Sequence, residues 1–542
     1  MAPPPLRCHE ETNGSNNTKT NGVTVVANNL LLDAEEFRRQ GNLVVDLIAD
    51  YYAGIGDIPV HPTSVTPGFL LRQLPAEAPA ARPGPEAFTD ALRDIRDVIL
   101  PGMTHWQSPR HMAHFPASSS TVGALGEALA AGINAVPFTW AASPAATELE
   151  MVVVDWLGAA LRLPEPLLFR GGGGGTFVGT TCEAILCALV AARERKLAAV
   201  GGHRAGDLVV YCSDQTHFAL AKAARIAGVR RLRALPTRRA DAFALSPRAV
   251  RDAVRDDVAA GLVPLFLCAT VGTTATGAVD PVGDLCAAVK KEAKEEVWVH
   301  VDAAYAGSAL VCPELRRGVD TMEAVDSFSM NAHKWLLANT DCCAMWVRDP
   351  RHLTDALGTD HDVILKDAAA EGHHVVDYKD WSLTLTRRFR ALKMWLVLRC
   401  YGVEGLRDHV RAHVSMAALF ETMVRADPRF EVVAERRFAL VCFRLRPPPL
   451  LPRSNGFSNG GGHHHHQEEQ QQEEVMMANL LNRRLLEEIN ATTSGPYLSS
   501  ATVAGVYMLR CAIGSTLTTE RHVVEAWKVV QDRAAFLLRR QI

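Results

Sequence analysis

Asn331-Ala332-His333-Lys334-Trp335-Leu336-Leu337 follows directly on the apolar run Ser327-Phe328-Ser329-Met330. The spacing predicts a short buried strand that ends in a lysine-bearing turn. Upstream, Val297-Trp298-Val299-His300-Val301 predicts a second strand, and it ends in Asp302-Ala303-Ala304-Tyr305-Ala306-Gly307. A lysine and a carboxylate, each at the C-terminal end of a strand, are the pair that pyridoxal phosphate chemistry needs. The amine bonds the cofactor aldehyde. The carboxylate keeps the pyridine nitrogen protonated, so the ring accepts electrons from a substrate carbanion. Most lysines are solvated surface charges, but Lys334 lies between a His and the apolar Trp335-Leu336-Leu337.

Outward from that stretch, strands and helices alternate. Asp207 to Tyr211 reads as strand, Ala219 to Ala227 as helix, Leu265 to Val271 as strand and Val282 to Ala293 as helix. Alternation of this kind predicts a mainly parallel sheet with helices on both faces. Ligands bind such sheets beyond the carboxyl ends of the strands. Gly171 to Gly175 lacks GxGxxG spacing and is expected to be a flexible connection, followed by Gly179-Thr180-Thr181-Cys182-Glu183 opening a strong helix through Lys196.

Before this region, Met1 to Asn29 reads as a disordered tail, and Leu32 to Gly54 as a helix with Phe37, Val44, Val45, Ile48 and Tyr52 on one face. Prolines break structure up to about Pro85; the helix Phe88 to Leu100 follows, then an Ala-rich helical region from Gly123 to Leu161. After it, Asp380 to Cys400 starts as loop and becomes a long helix. Arg453 to Glu474 is low-complexity, with His463 to His466 and a Gln/Glu run, and is expected to be a disordered surface insertion rather than a metal site. Structure resumes with a helix over Asn479 to Ile489 and a strand over Tyr507 to Ala512.

A chain of 542 residues holds a large domain and at least one smaller one, and 48% hydrophobic residues give it an ordinary core. The formal charge of −3 gives no reason to expect nucleic acid or an acidic membrane surface as a partner. Twelve scattered cysteines without a CxxC pair argue against a disulfide framework or a zinc site. Neither a secretory signal nor a membrane span is read, so a reducing, cytoplasmic location is expected.

Five segments in order carry a family resemblance: Ser143-Pro144-Ala145-Ala146-Thr147-Glu148-Leu149-Glu150, Gly179-Thr180-Thr181-Cys182-Glu183-Ala184, Ser213-Asp214-Gln215-Thr216-His217, His300-Val301-Asp302-Ala303-Ala304-Tyr305 and Asn331-Ala332-His333-Lys334-Trp335. With them the chain resembles the plant aromatic-L-amino-acid decarboxylases, the group that includes tyrosine/dopa and tryptophan decarboxylases and aromatic acetaldehyde synthases. The resemblance runs from about Leu32 to the C-terminus, apart from the insert. It implies an α/β, fold-type-I (aspartate aminotransferase-like) architecture and an obligate homodimer with active sites at the subunit interface. The implied divisions are a tail (1–29), an N-terminal helical arm and dimerisation segment (30–120), a large cofactor-binding domain (121–392) and a small α+β C-terminal domain (393–542) with the insert at about 453–474.

The resemblance also implies residue roles. Lys334 bonds the cofactor, Asp302 pairs with the pyridinium nitrogen, and His217 stacks on the ring, with Ala304 on the other side. Thr180, Thr181 and Cys182 form an anion site for the phosphate at a helix N-terminus. Thr274, Asn331 and His333 complete the shell. Trp106, Phe115, Pro116, Val136 and Phe138 match an apolar wall for an aromatic substrate ring. Thr386 stands where the plant family carries Ser in phenolic-substrate enzymes and Gly in indole-substrate ones, which favours tyrosine or dopa over tryptophan.

Three departures stand out. In the decarboxylases a loop tyrosine from the partner subunit, just before a Leu-Lys pair, protonates the carbanion left by CO₂ loss. Here Ile364 precedes Leu365-Lys366, in a loop one residue longer than usual. In the acetaldehyde synthases that tyrosine is phenylalanine, and the carbanion reacts with O₂ to give aldehyde, ammonia and peroxide. Loss of a positioned acid slows a step by roughly two to four orders of magnitude. Ile364 therefore raises the aldehyde reading, and leaves a slow decarboxylase using water or His217 as a further one. His114 replaces the family's usual Tyr, and Phe218 its usual small residue. Both lie close to the expected pocket and point either to an altered substrate or to a third reading, a weakly active paralogue that serves as a dimer partner.

Overall fold

The computed structural model describes residues 32–540 apart from 64, 81–83, 85, 294–295, 317–320, 360–374 and 448–462, with the side chains of 463–471 and 540 also outside the description. The first sheet is built from β1 (Gly174–Val178), β2 (Leu208–Ser213), β3 (Arg231–Leu235), β4 (Val263–Thr270), β5 (Trp298–Asp302), β6 (Ser327–Asn331) and β7 (Cys343–Val347). Its order is β1-β7-β6-β5-β4-β2-β3. β7 runs antiparallel to both neighbours and the other pairs are parallel. Every residue of β1, β2, β4, β5, β6 and β7 is buried. Burial on both faces is why these strands read as continuous apolar runs rather than alternating ones.

Alternate side chains feed two cores. Phe177, Tyr211, Leu267, Val301, Phe328 and Trp346 point into the larger core. Val178, Val210, Phe266, Trp298, Cys343 and Met345 point into the other, beneath the helix Thr181–Val200. By the period of two, His300 and Asp302 share the Trp298 face, so polar residues face that helix at the carboxyl end of the sheet.

The five-glycine run is not a flexible connection. Gly174 and Gly175 open β1, and Gly173 to Gly175 are buried. A Cβ on Gly175 would come within 2.4 Å of Val154 Cγ1 and 2.7 Å of the Met345 carbonyl oxygen. Only glycine lets this edge strand press against the helix Pro144–Leu161 and its neighbour β7.

The second sheet comprises β8 (Phe430–Arg437), β9 (Leu440–Leu445), β10 (Ser499–Val503) and β11 (Val506–Ala512), antiparallel in the order β10-β11-β9-β8. The helix Arg390–Ala426 joins the two sheets in sequence and breaks at Gly402, whose φ of 62° suits glycine. A further helix spans His463–Asn490. The low-complexity segment is therefore helical from His463 onward, not a disordered insertion throughout. Its Gln/Glu run forms helices readily and is continuous with the anchored Ala478, Leu481 and Leu485. The first part of the insert, like the 1–29 tail, lies outside the described residues. The helix Ala34–Gly54 buries none of its own residues, and its apolar face is open, with Phe37 and Val45 exposed.

Candidate active site

Lys334 belongs to a four-residue helix, Ala332–Trp335, that starts where β6 ends. Ser118 holds the turn at two points: its N–H donates to the Lys334 carbonyl (3.1 Å) and its Oγ accepts from Leu337 N–H (2.9 Å). Lys334 Nζ lies 5.8 Å from the centroid of the Phe115 ring. Burial lowers the amine's pKa, and the Asp302 carboxylate partly opposes this. A buried amine that releases its proton more easily than usual is one that can attack an aldehyde.

Asp302 ends β5, next to β6 in the sheet. Burial raises its carboxyl pKa. The Lys334 ammonium, the Ala304 N–H at 3.0 Å and His217 pull it back down. His217 follows β2 by four residues; burial lowers its pKa, with Asp302 opposing and Lys334 assisting. Its Nδ1 accepts from Ala219 N–H (3.3 Å), so Nε2 is the protonated nitrogen. Lys334, Asp302 and His217 thus act on one another electrostatically.

The helix Thr181–Val200 points its N-terminus at the same end of the sheet. Thr180 precedes it in extended conformation, and no side chain caps it. Thr181 Oγ1 donates to Asn331 Oδ1 (2.9 Å), which ties this helix to the end of β6. An uncapped helix start beside a lysine is a ready anion site. His333 Nδ1 accepts from Cys342 N–H (2.9 Å), and burial holds its pKa down at about 4. The Ala304 carbonyl accepts from Asn331 N–H (3.1 Å). Thr274 is exposed, while its neighbour Thr273 is buried and bonds Ala278 N–H. A buried amine, a carboxylate, an imidazole and an uncapped helix start fit the aldehyde, ring nitrogen, ring face and phosphate of pyridoxal phosphate.

The expected substrate wall divides into two groups. Phe115 and Pro116 are buried, and Phe115 is the ring beside Lys334. Trp106 stacks on His114 (5.2 Å) and His111 (4.8 Å) yet stays 41% exposed. Val136, Phe138 and Thr386 stand on a different support. The Pro137 carbonyl accepts from Arg387 (3.1 Å) and the Phe138 carbonyl from Lys379 N–H (2.8 Å). No hydrogen bond or ring contact joins the two groups among the described residues. Ile364 lies outside the described residues.

Sequence reading missed several supports. His300 bonds Ser327 Oγ (2.8 Å) and Ser329 Oγ (3.2 Å) behind Asp302; its signal was a polar residue in a buried strand. Arg510, buried in β11, bonds the carbonyls of Ala275 (3.1 Å) and Ala113 (3.3 Å), with Cζ 5.3 Å from the Phe115 ring centroid. A charge inside an apolar strand was again the available clue. The Arg387–Glu150 ion pair, 2% and 0% exposed, anchors the Thr386 segment.

A lysine and a carboxylate at neighbouring strand ends, beneath a helix start, in a mainly parallel sheet define a fold-type-I pyridoxal phosphate enzyme. The chain belongs to the pyridoxal-dependent decarboxylases: the model described as "Pyridoxal-dependent decarboxylase conserved domain" matches residues 67–446. It is therefore a pyridoxal-phosphate-dependent carboxy-lyase. It is 70% identical to a tyrosine decarboxylase of Oryza sativa subsp. japonica, over 99% of both chains. Among solved structures it resembles Oryza sativa TDC with PLP and tryptamine, with a TM-score of 0.86 and 41% identity over 93% of this chain and 99% of that one. It also resembles Rhodiola rosea 4-hydroxyphenylacetaldehyde synthase, with a TM-score of 0.82 and 45% identity over the same shares.

Proposed function

We propose that this enzyme removes CO₂ from tyrosine or dopa, in preference to tryptophan, and releases the arylalkylamine. One observation carries the reading: the Lys334–Asp302 pair occurs in a chain 70% identical along almost its whole length to a tyrosine decarboxylase. Thr386 supports the phenolic preference, because a hydroxyl-bearing, β-branched side chain narrows the space an indole needs.

When bound, the cofactor supplies the electron sink for the pair that the departing CO₂ leaves behind. Lys334 would hold it, Asp302 would keep a proton on its ring nitrogen, and His217 and Ala304 would lie to either side of its ring. The backbone N–H groups of Thr180, Thr181 and Cys182, with the Thr180 hydroxyl, would hold the phosphate, and Thr274, Asn331 and His333 would complete the shell. Phe115 and Pro116 orient the substrate from the lysine side, with Trp106 and His114 beside them. Val136, Phe138 and Thr386 close the pocket from a second copy of the chain. The exposed Val136 and the open face of Ala34–Gly54 support such a homodimer. In this reading 30–120 is the dimerising arm, 121–392 the cofactor domain and 393–542 the small domain. The location is cytoplasmic; among the described residues no helix is long and apolar enough to cross a membrane.

The proton returned to Cα comes from water or from His217, whose Nε2–H is the available donor. Ile364 favours a second reading, oxidative release of the arylacetaldehyde, and the likeness to an acetaldehyde synthase supports it. His114, Phe218 and Ile364 together favour the third, a weakly active dimer partner.

The test supplies purified holoenzyme, in air, with tyrosine, dopa, phenylalanine and tryptophan separately, and measures amine, aldehyde and peroxide together. Amine from tyrosine and dopa, faster than from tryptophan and without matching peroxide, is expected. Aldehyde with stoichiometric peroxide would replace the amine reading, and Ile364→Tyr should then restore amine. Bound cofactor without any product would favour the dimer partner.

A further inference from the structure

Trp335, next to the cofactor lysine, is fully buried, and its ring stacks on Tyr305 at 5.0 Å. Tyr305 in turn stacks on Phe115 at 3.6 Å. The indole Nε1–H donates to His413 Nδ1 (2.9 Å), on the helix Arg390–Ala426. An acceptor at Nδ1 fixes the proton of the neutral ring on Nε2, which donates to the Ser515 carbonyl (3.2 Å). His413 is 3% exposed and burial lowers its pKa to about 4, so it stays neutral with both nitrogens used.

The bonds continue beyond Ser515. Its hydroxyl donates to the Gln107 carbonyl (3.0 Å). Thr516 Oγ1 donates to the Ser119 carbonyl (2.8 Å) and Thr518 Oγ1 to the Pro109 carbonyl (2.9 Å). Gln107 Nε2 closes the segment on itself through the Ala117 carbonyl (2.6 Å). Residues 107–119 thereby hang from the 515–518 strap, and this is the segment that presents Phe115 to Lys334.

We infer that His413 is a positioning residue, coupling the lysine-bearing turn to the Trp106–Phe115 segment through Trp335 on one side and Ser515 on the other. His413 touches neither cofactor nor substrate. It fixes the rotation of Trp335, and with it the direction in which the next residue, Lys334, projects. The ring stack and the hydrogen-bond path form a closed loop from Lys334 to Phe115, so one side does not turn without the other. The inference rests on the cofactor site assigned above and is independent of whether amine or aldehyde is released.

The test compares holoenzyme carrying His413→Leu, His413→Gln and Val410→Ala. Val410 is fully buried on the same helix and makes no polar side-chain contact, so its truncation reports destabilisation alone. Visible circular dichroism of the bound cofactor, cofactor stoichiometry, kcat, KM and Tm are measured. For His413→Leu we expect full stoichiometry, at least a halving of the cofactor dichroism and a ten- to hundredfold fall in kcat, the scale of a displacement of about 1 Å. KM should stay within about threefold, as binding and turnover geometry separate. His413→Gln, which keeps an acceptor and a donor, should recover most of the dichroism. If His413→Leu matches Val410→Ala, with a lower Tm but unchanged dichroism and kcat, the coupling role is overturned. Should His413→Leu not fold, Trp335→Phe keeps the stack, removes only the donor, and must give the same loss of dichroism. Because dichroism needs no turnover, an inactive wild type would defeat the proposed reaction and leave this test intact.

Discussion

Replacing Arg387 with Met strikes one of the most heavily bonded side chains in the molecule. The guanidinium meets Glu150 through two nitrogens (2.6 and 3.2 Å) and also donates to Thr176 Oγ1 (2.8 Å), the Phe177 carbonyl (3.1 Å) and the Pro137 carbonyl (3.1 Å). It lies 4.5 Å over the Tyr378 ring. Glu150 is wholly buried and keeps only the hydrogen bonds from Thr176 Oγ1 and Phe177 N–H when Arg387 is gone. An uncompensated buried charge costs about 3–5 kcal/mol. The orphaned carbonyls add about 1–3 kcal/mol each as an upper bound, because such terms do not sum. The expected loss is therefore at least about 3 kcal/mol. The double variant Arg387→Met with Glu150→Leu removes the orphaned charge as well and should regain at least about 2 kcal/mol over the single one. Urea unfolding followed by far-UV circular dichroism, compared at unchanged slope, reads both values. A single variant within about 1 kcal/mol of wild type, or a double variant weaker than the single, would refute the reasoning.

Asp302→Asn should lower kcat by at least about a hundredfold, roughly 3 kcal/mol in barrier, with cofactor still bound; steady-state kinetics and cofactor absorbance check it, and unchanged kcat would remove Asp302 from the mechanism. Gly175→Ala should destabilise the protein by about 1–3 kcal/mol through its collision with Val154 and the Met345 carbonyl, read as a fall in urea midpoint. Acid should weaken the fold below pH 6.5. Burial holds His111 and His413 at about 4 and His300 at about 3, so the unfolded chain takes up protons that the folded chain refuses. Each imidazole loses about 1.4 kcal/mol per pH unit from 6.5 downward to its folded value, and its contribution is constant above 6.5. Asp280, raised to about 6, has the opposite sign and weakens the fold as pH rises from 3.8 to 6, but it is one group against these three and the similarly lowered His333 and His409. Urea midpoints at pH 8 and 6.5 should be nearly level and the midpoint at pH 5.5 lower; no fall between 6.5 and 5.5 would sink this account.

Much of the fold was legible because its signals are local. Strands buried on both faces leave apolar runs that a reader finds without knowing their neighbours, and β4, β5 and β6 were found in this way. The glycine run misled because glycine marks both flexible loops and close backbone approach. Only the neighbours, Val154 and β7, distinguish the two. The His463–Asn490 helix was read late in the chain for a related reason. Gln/Glu composition suits disorder and helix alike, and the anchoring side chains lie beyond the biased stretch. The separate supports beneath the expected substrate wall were not legible either, since Phe115 and Val136 are both ordinary apolar residues in composition, and only the structure buries the one and exposes the other.

By itself the sequence determined the chemistry, because a lysine turn and an aspartate at the ends of adjacent apolar runs need only local pattern to be seen. It also raised the expectation of departures from the family at His114, Phe218 and Ile364. Only the tertiary structure decided that Lys334 and Asp302 fall on neighbouring strands, that Ser118 and His413 brace the lysine turn, and that Arg387 seeks Glu150. Those partners lie 78 to 237 residues apart in the chain, for the pairs Trp335–His413, Leu337–Ser118 and Arg387–Glu150. Contacts of such separation leave no periodicity to read. They exist only once the sheet order and the long helix have brought distant segments together.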